Sequence, residues 1–183
     1  VKGRLYVQGE NKSLMDSIRM LYQIDLRLPS KFQLALQEDD FTWLRWERER
    51  SSNSLMFYSL PYRDSLQLTP QGLKRLRDSL GQKYISGGPP NSYMTINDQD
   101  LPVFFYTRQI DENYALEARG IWEMHNAFLG GPFVSFLIYD RSRGRLVFVD
   151  GFVFAPGEEK RELMDNLIHI LRNIDIVPAS SAR

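Results

Sequence analysis

The stretch from Arg119 to Pro156 limits the possible folds more than any other part of the chain. Phe133 to Tyr139 is an unbroken run of seven aromatic, aliphatic and small residues, too short and too stiff for a comfortable helix. A polar loop from Asp140 to Gly144 follows, and a second run, interrupted by Asp150, extends from Leu146 to Phe154. Two such runs joined by a short loop that ends in glycine predict a β-hairpin. Upstream, Tyr114, Leu116, Ala118, Gly120, Trp122 and Met124 alternate with Ala115, Glu117, Arg119, Ile121 and Glu123. That alternation is a third strand, apolar on one face and mostly charged on the other. The three make a meander that the rest of the chain must cover or extend.

Helical spacing appears in three places. Leu14, Ile18, Leu21 and Tyr22 follow Asn11 and Ser13, either of which suits an N-cap. Thr69 and Pro70 open a second helix, lined by Leu73, Leu76 and Leu80 and ended by Gly81. A third, from Glu158 to Arg172, turns Leu163, Met164, Leu167, Ile168 and Leu171 to one side. Short alternations at residues 24–28, 32–36, 41–48 and 55–60, with another starting at 103–106, predict strands, and the segment 49–54 reads as a polar loop. Residues 41–80 and 133–171 both read strand, loop, strand, proline, helix, either as an old duplication or as two uses of one common unit. The expected fold is α+β: a mainly antiparallel sheet covered by helices gathered on one face, built from two β-β-α units. A single domain over residues 1–183 is expected, with pseudo-halves 11–84 and 101–175 joined by a loop at 85–100.

Composition enters as a set of exclusions. Basic and acidic residues both number 23, so the basic surplus that would neutralise nucleic-acid phosphates is missing and no nucleic-acid partner is expected. There is no cysteine, which removes disulfides and thiolate metal sites. The two histidines lack any metal-binding spacing, so neither metal nor cofactor is expected. Gly130-Gly131-Pro132 leads into a strand and is followed by no lysine, so it is not a phosphate loop.

Asp150 stands among Leu146, Phe148, Phe152 and Phe154 by alternation. A carboxylate there needs a partner, a proton or a cavity. Three readings stay open: a bulge at Gly151 that re-aims it, a structural ion pair, or a functional site. His125 precedes the glycine-rich turn as a candidate base or a backbone-bonded loop histidine. Glu117, Arg119 and Glu123 read as a solvated charged ladder. Trp43 and Trp46 point to opposite faces of one strand, so at least one of them lies outside the main core; with Tyr62 and Trp122 they are candidates for an aromatic contact surface.

Several short words in order carry a family resemblance: Leu28-Pro29-Ser30-Lys31-Phe32, Phe41-Thr42-Trp43-Leu44-Arg45, Tyr58-Ser59-Leu60-Pro61-Tyr62, Arg119-Gly120-Ile121-Trp122-Glu123, Gly130-Gly131-Pro132-Phe133-Val134-Ser135 and Glu159-Lys160-Arg161-Glu162. Together they resemble the Bacteroidota envelope lipoproteins catalogued as domain of unknown function 4837. The resemblance implies a cell-envelope location and an N-terminal lipid anchor lying outside this chain. It implies no activity. A looser similarity of the ID-L-LP…F…W stretch beginning at Ile24 to the PsbP and Mog1 sandwich folds points to the same layered architecture. The expected function is a non-enzymatic envelope domain that binds a protein or glycan partner. The alternatives are a hydrolase or transferase with a non-standard site near Asp150, His125 and Arg119, and an assembly domain with an apolar patch near Leu5, Tyr6 and Val7.

Overall fold

The computed structural model describes residues 4–180. Helix α1 spans Lys12–Tyr22, capped by the Asn11 side chain, which accepts from the Leu14 N–H at 3.1 Å. Strands β1 (Ile24–Asp25), β2 (Gln33–Glu38), β3 (Phe41–Glu47) and β4 (Ser52–Pro61) precede α2 (Pro70–Tyr84). After it come β5 (Tyr93–Asn97), β6 (Phe104–Ile110), β7 (Asn113–His125), β8 (Gly130–Asp140) and β9 (Arg145–Phe154). Helix α3 (Arg161–Arg172) and the short β10 (Asp175–Ile176) close the chain. Among the described residues no helix is long and apolar enough to cross a membrane.

The predicted meander is β7-β8-β9, extended by β4, β3 and β2 into one antiparallel sheet. Strands β6 and β5 lie in tandem along the far edge of β7, pairing residues 113–119 and 121–125 respectively. β1 and β10 form a separate two-stranded ribbon.

The helices are not gathered on one face. Val134, Phe136, Ile138, Val147, Val149 and Val153 face α1 and α3, while Phe133, Leu137, Leu146, Phe148 and Phe152 face α2. Both faces of β8 and β9 are apolar, so both must be covered, and only a layer on each side does that. The two β-β-α units therefore have opposite hand. β4 and β9 are antiparallel neighbours, and a two-fold axis relating them would carry both helices to the same face. The units are two uses of a common arrangement, not superposable copies.

Three local expectations are corrected. Segment 85–100 is not one loop, because β5 occupies 93–97 and pairs with β7. Segment 49–54 is not all loop, since Ser52, Asn53 and Ser54 pair with Phe154, Val153 and Phe152. Gly81 does not stop its helix, which runs on to Tyr84. A Cβ at Gly81 would lie 2.2 Å from the Met94 carbonyl oxygen, so glycine is there to let α2 lie against β5. Tyr84 at the helix end stacks on Phe41 of β3 with ring centroids 4.1 Å apart. The sheet thus curls around α2, touching it from both flanks.

Candidate functional site

A sheet of this kind has outer strands whose backbone groups must be guarded or used. Outer strand β5 is guarded: its Met94 N–H donates to the Ile85 carbonyl at 3.0 Å and its Ile96 N–H to Asp78 Oδ1 at 2.8 Å. β2 is distorted by a register shift between Leu34 and Leu36, which twists an edge away from further pairing. β6 has neither device. Among the described residues it pairs with β7 alone, and no other group hydrogen-bonds to the backbone of residues 104–109. Its sequence, Phe-Phe-Tyr-Thr-Arg-Gln-Ile, holds no lysine or proline. Phe104 is 54% and Tyr106 40% exposed. High β propensity, exposed aromatics and an open ladder coincide on one strand.

The face of β6 that carries Phe104, Tyr106 and Arg108 continues onto β7 at Glu117 and Arg119. Glu117 is fully buried, which corrects the expectation of a solvated ladder. Three guanidinium groups hold it. Arg108 Nε donates to Oε2 at 3.1 Å, and Arg172 Nη2 and Arg119 Nη2 donate to Oε1 at 3.0 and 3.4 Å. A lone buried carboxylate is too costly to keep, and the three arginines supply the charge and hydrogen bonds that make it tolerable. Each arginine side chain remains about 38–40% exposed. The Tyr106 ring lies between two of them, 4.8 Å from Arg108 Cζ and 6.0 Å from Arg119 Cζ. Arg119 Nε is buried with no hydrogen-bond partner.

The side chains singled out from sequence are spread across the molecule. Asp150 is fully buried on the α2 face, in regular register with Met56 and Ser135, so Gly151 makes no bulge. Its carboxylate accepts from Arg77 Nε at 2.8 Å, from Arg77 Nη2 at 3.4 Å and from the Ser135 hydroxyl. Arg77, itself 1% exposed, lies over the Phe133 ring at 3.9 Å. Arg119 lies on the opposite face of the sheet. His125 ends β7, exposed, with its ring stacked on Tyr93 at 4.7 Å. These three are not brought together in one cleft. Trp122 is core, 3% exposed, and its Nε1 donates to the Val153 carbonyl at 3.2 Å. Trp43 and Trp46 are both half-buried, on opposite faces, with Arg45 and Arg48 over their respective rings. Tyr62 packs on Tyr139, centroids 4.5 Å apart. Near the start of the chain Leu5 is buried and Val7 exposed.

Residues Phe104, Tyr106, Arg108, Arg172 and Arg77 carry weight here and were not picked out from sequence. For β6 the usable signal was the absence of any guarding lysine or proline in an aromatic strand. For Arg77 it was its place among Leu73, Leu80 and Tyr84 on one helical stripe.

Several concavities lie elsewhere among the described residues, including two with largely apolar linings. One, about 610 Å³, lies between Gly87, Pro89 and the β7–β8 tip, where Phe128 is fully exposed. The other, about 320 Å³, has a floor of Leu60, Leu76, Leu137 and Leu146 and a rim that includes Arg63 and Arg75. Neither contains Asp150, His125 or Arg119.

A model of the family described as "Domain of unknown function (DUF4837)" matches residues 11–173. No curated protein matches the sequence. Among solved structures, the Saccharomyces cerevisiae Ran-binding protein Mog1p is similar with a TM-score of 0.51 at 11% identity, over 85% of this chain and 90% of that one. A mutant of protein Mog1 gives 0.50 at 14% identity, over 86% and 93%. At such identity the likeness is one of fold, and it agrees with the layered sandwich expected from sequence.

Proposed function

This chain belongs to the family described as a domain of unknown function (DUF4837), and from that premise we propose that it is a binding module that takes an extended segment of a partner protein along β6. The observation that carries the reading is the open edge of β6, set beside a capped β5 and a bulged β2. Strand addition draws affinity from main-chain hydrogen bonds and specificity from alternate side chains. Phe104 and Tyr106 offer one row for those side chains; Phe105 and Thr107 offer the other. The whole chain acts as one domain in this proposal. Its setting is the cell envelope of Bacteroidota, held at the membrane by a lipid anchor outside the sequence; the support for that setting is the family resemblance.

The test is amide hydrogen exchange on the intact chain, with and without ten-residue peptides in which valine alternates with serine, glutamate or lysine. At least one peptide slows alternate amides across residues 104–110 while β2 is unchanged. Two outcomes overturn the proposal. In one, no peptide slows β6. In the other, β6 is protected without peptide in proportion to protein concentration, which assigns the edge to a second copy of this chain.

A further inference from the structure

We infer that the added segment is acidic on one face: carboxylate side chains alternate along it with apolar ones, and Arg108, Arg119 and Arg172 read the carboxylates. The inference rests on the strand-addition reading and names the chemistry of its partner. Three guanidinium groups converge on the single carboxylate of Glu117, so the cluster keeps two positive charges in excess. Those charges lie on the α3 face of β6 and β7, beside the C-terminal end of α3, and each of the three arginine side chains keeps 38–40% of its surface in solvent. Among the described residues these arginines form ion pairs with Glu117 alone, while Asp111, Glu112, Glu123 and Asp175 stand nearby without an ion pair to them. Asp111 at the β6–β7 turn uses its Oδ2 to accept from the Ile176 N–H at 2.7 Å. Glu112 is exposed at the same turn, and Glu123 is further along β7, paired in register with Thr95 and Gly130. Glu117 anchors the guanidiniums, and the Tyr106 ring lies 4.8 Å from Arg108 Cζ and 6.0 Å from Arg119 Cζ. The exposed parts of the three guanidiniums are what an added segment meets, and guanidinium groups bind carboxylates in paired geometry.

Strand geometry supplies the alternation. A segment added beside β6 lies ~4.8 Å from it, with successive side chains on opposite faces. One set meets Phe104, Tyr106 and the arginines. The other meets Phe105, which packs on the α2-side core, and Thr107. The first set is suited by glutamate or aspartate and the second by valine or isoleucine. Acidic residues on every second position also keep such a segment from pairing with itself.

The experiment is fluorescence anisotropy with labelled decapeptides of alternating valine and glutamate, valine and serine, or valine and lysine, at about 50 mM and about 500 mM salt. Amide exchange on β6 is read in parallel. The glutamate peptide binds at least about tenfold tighter than the serine peptide at low salt and loses most of that advantage at high salt. Arg108→Gln and Arg172→Gln each weaken it by up to about fivefold without changing the serine peptide; each leaves two arginines on Glu117, and circular dichroism checks that they fold. If the serine or lysine peptide protects β6 as well as the glutamate peptide, the acidic partner is overturned and strand addition stands. If no peptide protects β6, both fall.

Discussion

Replacing Arg77 with methionine tests whether the ion pair at the centre of the α2 face holds the molecule together. Asp150 and Arg77 are 0% and 1% exposed, and the carboxylate takes two guanidinium hydrogen bonds and one hydroxyl. In Arg77→Met the apolar stem is roughly kept, while Asp150 retains only Ser135. Breaking a buried pair by removing one partner costs about 3–5 kcal/mol, since a charge is left without compensation. Unfolding entropy near the midpoint is ~2.1 cal/mol/K per residue, so for 183 residues a loss of about 4 kcal/mol lowers Tm by roughly 10 °C. Urea unfolding followed by circular dichroism, with a thermal scan beside it, measures both quantities. The companion is Arg77→Met with Asp150→Leu, which removes both charges together. It recovers most of the loss, because an apolar pair of similar volume is often neutral or better, and the coupling in the cycle is at least ~2 kcal/mol. A single variant losing less than ~1 kcal/mol, or a double variant equal to the sum of its singles, would refute the reasoning.

Three more measurements follow from the structure. Gly81→Ala raises helix propensity by ~1 kcal/mol yet places a Cβ 2.2 Å from the Met94 carbonyl oxygen; denaturant unfolding shows net destabilisation of about 1–3 kcal/mol, and a stabilised variant would mean α2 does not seat on β5. Burial tends to raise the Asp140 carboxyl, but hydrogen bonds from Ser142, Arg145 and Arg143 outweigh it and hold the group below its ordinary range. A depressed carboxylate gives stability that is present above its unfolded pKa of ~3.9 and is lost as pH falls through the folded value. Asp140→Asn therefore flattens the acid limb of a stability–pH curve, and an unchanged limb would remove this role. Burial pushes the Tyr22 hydroxyl up to about 12, against the smaller opposing effect of its hydrogen bond with Thr42; the unfolded chain then ionises first, so stability falls from pH ~10 towards ~12, and Tyr22→Phe removes that decline in a urea series across this range.

Much of the fold was legible because strand and helix periods are local. The β7-β8-β9 meander was readable from alternation, and Thr69 and Pro70 marked the start of α2 at its observed position. The misreadings share a cause. Gly81 reads as a stop to any local rule, and only β5 packed against it explains a helical glycine. Residues 93–97 hold too few periodic positions to declare a strand until β7 pairs with them. Glu117 reads as solvated because its nearest neighbours on the same strand face, Ala115 and Arg119, are small or charged; it is buried because Arg108 and Arg172 arrive from β6 and α3.

The sequence alone determined which of the long periodic segments extend, which coil and which of their side chains share a face, since those follow from periods of two and 3.6 residues along the chain. It also showed that Asp150 stood in need of a partner. Only the tertiary structure decided that Arg77 is that partner, 73 positions away, that α2 and α3 cover opposite faces, and that β6 keeps an open edge. Such pairings depend on where the chain returns after a turn, and that is fixed by packing the whole sheet at once.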